Sequence, residues 1–443
     1  MYLIANGKLV TRDADLPYIQ NGGVVVEGDK IIEVGETAAL KKKYPGAEFV
    51  DARGNVIMPA FINTHSHIYS ALARGLSING HNPTNFFEVL DGMWWKIDRN
   101  LTLEDTRRSA YTTYIDSIKT GCTTVFDHHA SYCEIEGSLF AIEDVAKELG
   151  IRTVLCYEVS DRDGEKKRDA AIKENGDFIR HCKKQNDPMI KAMFGGHALF
   201  TMSDETFEKC VKENDGITGF HIHVSEGMND VYDSLQNYGC RPVNRLLNHG
   251  ILGEKTILGH CIHVNTAEMD IIKNTGAMVV NNPESNMGNA VGCSPVLQMI
   301  KKGILVGMGT DAYTFDMLES LKVALIIQRH NACMPNVAWC EVTDMLFKNN
   351  REMCARYFDA PLGILKAGAA ADVIVMDYKP FTPLSGDNID GHMIFGMTGR
   401  QCETTMCAGR LLMKDRQLIG IDEEAINART LEVATKLWGR LNK

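Results

Sequence analysis

The chain has 443 residues, of which 44% are hydrophobic, so it can bury a large core and a smaller second one. Its 47 basic and 57 acidic residues give a net charge of −10, which argues against general nucleic-acid binding. No apolar run approaches the roughly 18 residues of a membrane span, and the 13 cysteines include no C-x-x-C pair. We therefore expect a cytoplasmic protein with reduced thiols and with neither a nucleic acid nor a membrane as partner.

The first predicted element is a hairpin over residues 23–34, because the turn pair Gly28-Asp29 separates two β-branched runs. Eight further apolar runs predict strands at 55–62, 122–126, 152–157, 189–194, 219–224, 256–258, 277–281 and 304–307. Helical patterns separate most of them, at 103–119, 142–149, 167–184, 204–214, 243–249 and 266–274. This alternation of strand and helix predicts an α/β fold, a parallel β/α (TIM-type) barrel.

A His-x-His sequence, from His65 to His67, follows the first predicted barrel strand. Residues two apart on a strand project from the same side, so both imidazoles can reach one metal ion at the carboxyl end of that strand. Taken alone, the tripeptide could equally be two histidines beside a polar loop. In a β/α barrel, however, catalytic residues come from the carboxyl ends of several strands.

Polar residues recur at the ends of later strands. A second His-x-His sequence, from His221 to His223, ends the fifth strand, and Glu226 follows three residues later. A metal-dependent hydrolase needs neutral imidazoles to hold the ion and a carboxylate to carry protons, and His223 and Glu226 fit these roles. His260 ends the sixth strand, and Asp311, after the eighth, can both ligate a metal and accept a proton. Alternatively, His221 is a core histidine and Glu226 only stabilises a helix N-terminus.

These motifs resemble those of the amidohydrolase superfamily, specifically its mononuclear branch of aminohydrolases and chlorohydrolases. The resemblance covers nearly the whole chain and is carried by residues 59–67, 196–201, 223–226, 259–261, 282–287 and 309–311. Within that branch the chain is most similar to the SsnA family of aminohydrolases, which is associated with selenium and purine metabolism in anaerobic bacteria. One departure is Ala60, where the superfamily usually has glycine.

The resemblance implies four ligands for one divalent metal ion: His65, His67, His223 and Asp311. Zinc is the usual metal of this branch, and iron is the alternative. By the same resemblance Glu226 shuttles protons, His260 contacts the attacking water or the reacting end of the substrate, and His197 contacts the substrate. Binuclear relatives carry a carbamylated lysine on the fourth strand. Lys191 lies in that strand, but its spacing before His197 does not match, which favours one metal ion.

The terminal strand-like runs, at 23–34, 368–377 and 409–413, resemble the small β-sandwich of the superfamily. Neither terminal piece is long enough to form an ordinary core by itself. We therefore predict one composite β-sandwich domain from residues 1–57 and 360–443, beside a hydrolase barrel of residues 58–359.

Three functions remain open from the sequence. The first is hydrolysis of a C–N bond in a planar, purine- or pyrimidine-like heterocycle, by deamination. The second is ring opening of a cyclic amide or amidine, and the third is a non-catalytic barrel scaffold. Trp94 and Trp95 lie after the first strand and could stack on a flat ring, or instead pack a helix against the barrel. We also predict a homodimer that binds a small heterocyclic substrate.

Overall fold

The computed structural model describes residues 1–443. Its strands, numbered β1 to β18, are Tyr2–Val10, Tyr18–Glu27, Lys30–Glu36, Glu48–Asp51, Val56–Pro59, Phe61–Ser66, Cys122–His129, Arg152–Tyr157, Ile190–Ala192, Phe194–Ala198, Phe220–Val224, Ile257–His260, Met278–Asn281, Val306–Met308, Val373–Met376, Cys402–Cys407, Arg410–Lys414 and Gln417–Leu418.

The α-helices, numbered α1 to α17, are Thr37–Lys43, Phe86–Val89, Trp95–Asp98, Leu103–Lys119, Ser138–Leu149, Glu165–Gln185, Asp204–Asn214, Met228–Tyr238, Pro242–Asn248, Thr266–Thr275, Pro283–Gly288, Val296–Lys301, Met317–Ala332, Trp339–Asp344, Asn350–Cys354, Ile389–Gly396 and Glu423–Leu441. Short 3₁₀ helices occupy Ile68–Ala73, Leu199–Thr201 and Gly399–Gln401, and π-helical turns occupy Leu90–Trp94 and Met345–Asn349. No helix combines the length and the apolar character needed to cross a membrane.

Strands β6 to β14 form a closed parallel barrel. Strands β6 to β9 pair in chain order, and β10 to β14 do the same. Bridges between Ser66 and Asp311 and between Val159 and Gly196 join these two groups on both sides. The fourth barrel strand is interrupted at Met193, so β9 pairs with β8 while β10 pairs with β11. The predicted parallel β/α barrel is therefore confirmed.

Both termini contribute to a single separate sheet. Its strand order is β18-β17-β16-β15-β5-β1-β2-β3, with β4 paired to β1. The predicted hairpin joins β2 to β3, and its turn residue Gly28 has a φ of 59°, a left-handed conformation that glycine adopts without strain. The prediction of a small β domain built from both ends of the chain is thus confirmed.

The predicted first strand, 55–62, is wrong as one element, because its residues belong to two sheets. In β5, Met58 pairs with Ile374 of the terminal sheet, whereas in β6, Phe61 pairs with Cys122 of the barrel. Every residue of both strands is buried, so the apolar run does not reveal where the chain changes sheets. We propose that the domains divide as predicted, near residues 57 and 360. The chain first passes from the terminal sheet into the barrel at Ala60.

Helix α17 holds the segment that follows β6 against the barrel. Trp438 Nε1 donates a hydrogen bond to the Leu72 carbonyl at 2.8 Å, and Asn442 Nδ2 donates to the Ser77 carbonyl at 3.0 Å. The C-terminal helix therefore fixes the backbone beside the mouth of the barrel, where the candidate site lies.

Candidate metal centre and substrate pocket

Four of the predicted site residues meet at the carboxyl ends of the barrel strands. His67 Nε2 lies 3.2 Å from His223 Nε2 and 3.3 Å from Asp311 Oδ1. His65 Nε2 lies 3.9 Å from Asp311 Oδ2. All four side chains are buried. The structure therefore brings together the three imidazoles and the carboxylate that were predicted as ligands.

The hydrogen bonds on the far side of each ring leave Nε2 free to bind a metal. His67 Nδ1 donates to the His128 carbonyl at 2.6 Å, and His223 Nδ1 donates to the His197 carbonyl at 2.8 Å. Both Nε2 lone pairs consequently face each other across 3.2 Å, which is repulsive unless a cation lies between them. Two nitrogen ligands of a tetrahedral zinc ion are separated by about 3.3 Å, so the spacing suits a bound metal.

His65 shows the same arrangement. Its Nδ1 lies 2.9 Å from His221 Nε2, while its own Nε2 is buried with no hydrogen-bond partner. Burial and the neighbouring histidines lower the pKa of both His65 and His223 well below the usual value, which keeps the rings in the neutral form that binds metal. The donor set fits the predicted single divalent metal ion.

An acid–base group lies beside these donors. His260 Nδ1 donates to Asn286 Oδ1 at 2.7 Å, and His260 Nε2 faces Asp311 Oδ2 at 3.2 Å and Glu226 Oε2 at 3.5 Å. Burial opposes a charged imidazole, but the two carboxylates outweigh it and raise the pKa of His260 to about 9. Burial, reinforced by the charge of Asp311, raises the pKa of Glu226 to about 7. Glu226 can therefore gain or lose a proton near neutral pH.

Asp311 remains ionised in the same environment. Burial alone would raise its pKa, but His67 and His260 lower the pKa of Asp311 to about 2. An ionised carboxylate is the form that binds a metal ion. Asp311 and Glu226 are thus two neighbouring carboxylates whose surroundings separate their proton affinities, which is the usual basis for assigning different catalytic roles.

The backbone at these strand ends is strained. Ser225, His260, Cys261 and Asp311 have φ values of 49°, 66°, 48° and 56°, which non-glycine residues seldom adopt. Such conformations cost of order 1–3 kcal/mol each and persist where the surroundings enforce them. Gly309 permits the close approach of β14 to β6, since a Cβ there would lie 2.7 Å from the His65 carbonyl oxygen.

The pocket beside the donors receives two of the three predicted substrate contacts. His197 and Trp94 line it, together with Tyr69, Phe200 and Tyr313. Trp95 does not line it. Its ring packs 6.0 Å from the His197 ring and under the Arg162 guanidinium, so Trp95 supports the pocket wall from behind. Residues adjacent on a helix point in different directions, which explains why only one of the tryptophans reaches the cavity.

Two polar residues of the site were missed by the sequence reasoning, although both lie at the carboxyl ends of barrel strands. His128 is the penultimate residue of β7, and Glu158 comes directly after β8. His128 Nδ1 lies 3.1 Å from Glu158 Oε1, and both side chains are buried. Burial would raise the pKa of Glu158, but His128, His67 and His197 together hold it well below the usual range. Examining every strand end for polar residues would have identified both.

Other polar residues at or near these strand ends do not join the donor set. His221 binds the back of His65, and His263 Nε2 donates to the Val291 carbonyl at 2.9 Å. Lys191 lies in β9 and does not line the pocket. A group of His67, His128, Glu158 and His223 also has donor atoms within 4.8 Å of one another. It shares two residues with the first set, and their Nδ1 atoms are already committed to backbone carbonyls.

A model of the amidohydrolase family matches residues 56–412, which cover most of the chain. The chain belongs to the amidohydrolase family. This amidohydrolase is 30% identical to a 5'-deoxyadenosine deaminase of Methanosarcina mazei, over 99% of each chain. It is also 30% identical to a 5-methylthioadenosine/S-adenosylhomocysteine deaminase of Thermococcus sibiricus, over 93% of each. Among solved structures, a zinc-bound adenosine deaminase from Xanthomonas campestris superposes with a TM-score of 0.86 at 21% identity, over 98% of each chain.

The family, the fold and the prediction of a hydrolase acting on C–N bonds are therefore confirmed. The finer resemblance to the SsnA family stays a prediction.

Proposed function

We propose that this amidohydrolase removes the amino group of a planar nitrogen heterocycle by hydrolysis, with aminopurines as the substrate class. The observation that carries the proposal is the convergence of the three imidazoles of His65, His67 and His223 and the Asp311 carboxylate beside the Glu226–His260 pair. Water adds to the ring carbon and ammonia leaves, so the reaction needs an activated water and a proton for the departing nitrogen.

His65, His67, His223 and Asp311 would hold the metal ion, and zinc is our proposal because a zinc-bound adenosine deaminase shares the fold. When bound, a divalent metal ion of this kind supplies Lewis acidity that lowers the pKa of water to about 7. The hydrogen bonds from Nδ1 to backbone carbonyls orient the rings of His67 and His223 toward the ion.

Glu226 is our candidate for proton transfer to the leaving nitrogen. Its pKa of about 7 allows it to hold a proton in one step and release it in another. His260 lies between Glu226 and Asp311, and its positive charge stabilises negative charge that develops on the attacking oxygen. Asp311, ionised and adjacent, would accept the first proton from the water.

The substrate class rests on relatives and on the shape of the pocket. The relatives are named as deaminases of 5'-deoxyadenosine and of 5-methylthioadenosine and S-adenosylhomocysteine. Trp94, Tyr69 and Phe200 supply aromatic surface along the pocket, which suits a flat ring. Ring opening of a cyclic amide is the alternative, but no lysine lines the pocket beside the donors, so none is placed there to bridge two metal ions.

The test is to incubate the zinc-loaded chain with adenine, adenosine, 5'-deoxyadenosine, guanine and aminopyrimidines while following ammonia and ring absorbance. We expect one ammonia for each oxo-product, with the ring intact. Ring opening without ammonia release would favour the cyclic-amide alternative, and inactivity toward every compound would contradict the proposal. The cytoplasmic location, the homodimer and the lack of nucleic-acid binding stay predictions, which fractionation, light scattering and gel-shift measurements would examine.

A further inference from the structure

Glu158 is a buried carboxylate that takes no part in the proton transfers described above. It follows strand β8, and its side chain is only 2% exposed, yet it lines the substrate pocket. The acid–base residues Glu226 and His260 belong to the fifth and sixth barrel strands, whereas Glu158 belongs to the third. A ring whose reacting carbon lies at Glu226 would therefore turn a different edge toward Glu158.

The protein offers Glu158 few hydrogen bonds. Oε1 is buried and lacks a partner, although it lies 3.3 Å from His67 Nδ1 and 3.1 Å from His128 Nδ1. The N–H groups of both rings are directed elsewhere, from His67 Nδ1 to the His128 carbonyl and from His128 Nε2 to the His221 carbonyl. Oε1 therefore lies beside two rings that direct no hydrogen bond at it, so a donor on the ligand would be preferred there.

The adjacent ring nitrogen is an acceptor as well. The Thr201 hydroxyl donates to the Ala198 carbonyl at 2.9 Å, so Thr201 Oγ1 accepts the N–H of His197 Nδ1 at 2.8 Å. The lone pair of His197 therefore lies on Nε2, which is 3.8 Å from Glu158 Oε2. This part of the wall presents two acceptors and no donor.

The charge of the wall excludes anions. No lysine or arginine lines the pocket, while Glu158, Glu226, Asp230 and Asp311 do. The neighbouring Arg162 is paired with Asp98 at 2.8 Å, so it is not available to an anionic substrate. A carboxylate or phosphate on the ring would face these carboxylates with no lysine or arginine in the wall to pair with.

The position of Glu158 also indicates which part of the substrate reaches it. An outer cavity of about 420 Å³ adjoins the pocket at Trp94 and Tyr313, and it is lined by Arg74 and His81 among others but not by Glu158. A substituent on the ring has room in that outer cavity. The group at Glu158 is therefore part of the flat ring that enters the inner pocket.

We propose that Glu158 is a substrate-specificity residue that accepts a hydrogen bond from a ring N–H of the heterocycle. The proposal rests on the proposed function, since it assumes a planar amino-heterocycle in the inner pocket. Glu158 would select rings that carry a free N–H on the edge away from the amino group. It would discriminate against rings that are alkylated at that nitrogen and against anionic rings.

The experiment compares matched probes, adenine with 9-methyladenine and guanine with 9-methylguanine, on the zinc-loaded chain. Calorimetric binding and kcat/KM are both measured, for the wild type, for Glu158→Gln and for the control Glu165→Gln. Glu165 is exposed at the start of the helix that follows the same loop, so its substitution removes the same charge outside the pocket. Metal content is determined for every preparation.

We expect the wild type and Glu165→Gln to prefer the N–H probe by about 10- to 100-fold, the loss expected for a hydrogen bond to a charged acceptor. Glu158→Gln should lose most of this preference while keeping its metal, because the amide oxygen that replaces the carboxylate is an uncharged and weaker acceptor. Two results on the wild type alone would overturn the proposal. One is equal kcat/KM for both members of a probe pair, and the other is a higher kcat/KM for 5'-deoxyadenosine than for adenine. Loss of metal in Glu158→Gln would also overturn it, by making Glu158 a ligand.

The two proposals fail in different ways. If the wild type binds the N–H probes selectively but releases no ammonia, the proposed deamination fails and the role of Glu158 stands. If it deaminates both members of each pair equally, deamination stands and the role of Glu158 fails.

Discussion

Replacing Glu226 by glutamine should separate proton transfer from metal binding. Glutamine keeps the size of the side chain and can still accept the hydrogen bond from Asn289 Nδ2. His260 retains Asp311 at 3.2 Å, so the geometry beside the donors should persist. What disappears is the carboxyl group beside His260, whose pKa lies near 7 and which can both gain and lose a proton.

The expected loss follows from the role of a positioned acid or base, which contributes roughly 100- to 10,000-fold, or about 3–5 kcal/mol of barrier. We therefore expect Glu226→Gln to fold, keep its metal ion and bind substrate, while kcat falls by that factor. The assay measures metal content and kcat on the same preparation. A near-normal kcat would remove Glu226 from the mechanism, and loss of the metal would make Glu226 a ligand.

Three further predictions address the metal centre and the fold. Elemental analysis of the wild type should find about one tightly bound divalent ion per chain. His223→Ala should lose both the metal ion and the activity. Normal metal occupancy in this variant would show that His221, not His223, is the ligand. Gly309→Ala should weaken metal binding, since its Cβ would lie 2.7 Å from the carbonyl oxygen and 2.8 Å from the Cβ of the ligand His65, while Gly253→Ala, with open space around it, should not. Asp372→Ala should lower the free energy of unfolding in urea by about 3–5 kcal/mol, because it leaves the buried Arg152 guanidinium unpaired; a loss below about 1 kcal/mol would contradict this.

The local elements were predictable because their signals are local. Helices α4 and α7 have the predicted bounds, 103–119 and 204–214, since Thr102 and Ser203 supply hydrogen-bonding N-caps before an apolar periodicity begins. The strand ends that carry His65, His67, His223 and Asp311 were also visible, because a period of two decides which side chains share one side of a strand. The alternation of strands and helices then determined the barrel.

Only the tertiary structure decided how deep each side chain lies in the barrel and how far it is from the other site residues. The period of two puts His221 and His223 on the same side of β11, yet only His223 reaches the donor cluster, while His221 lies deeper and binds His65. Similarly, the run from Val56 to Ile62 is apolar throughout, and only pairing with other strands assigns its two halves to different sheets.

The hydrogen-bonding character of the pocket wall also depended on the tertiary structure. Glu158 follows a strand like the predicted ligands, but the lack of a donor directed at its Oε1 depends on where the rings of His67, His128 and His197 point. Those directions are determined by contacts between strands that are far apart in the chain. Sequence periodicity specifies the face of an element on which a side chain lies, whereas closure of the barrel specifies which neighbours that side chain meets.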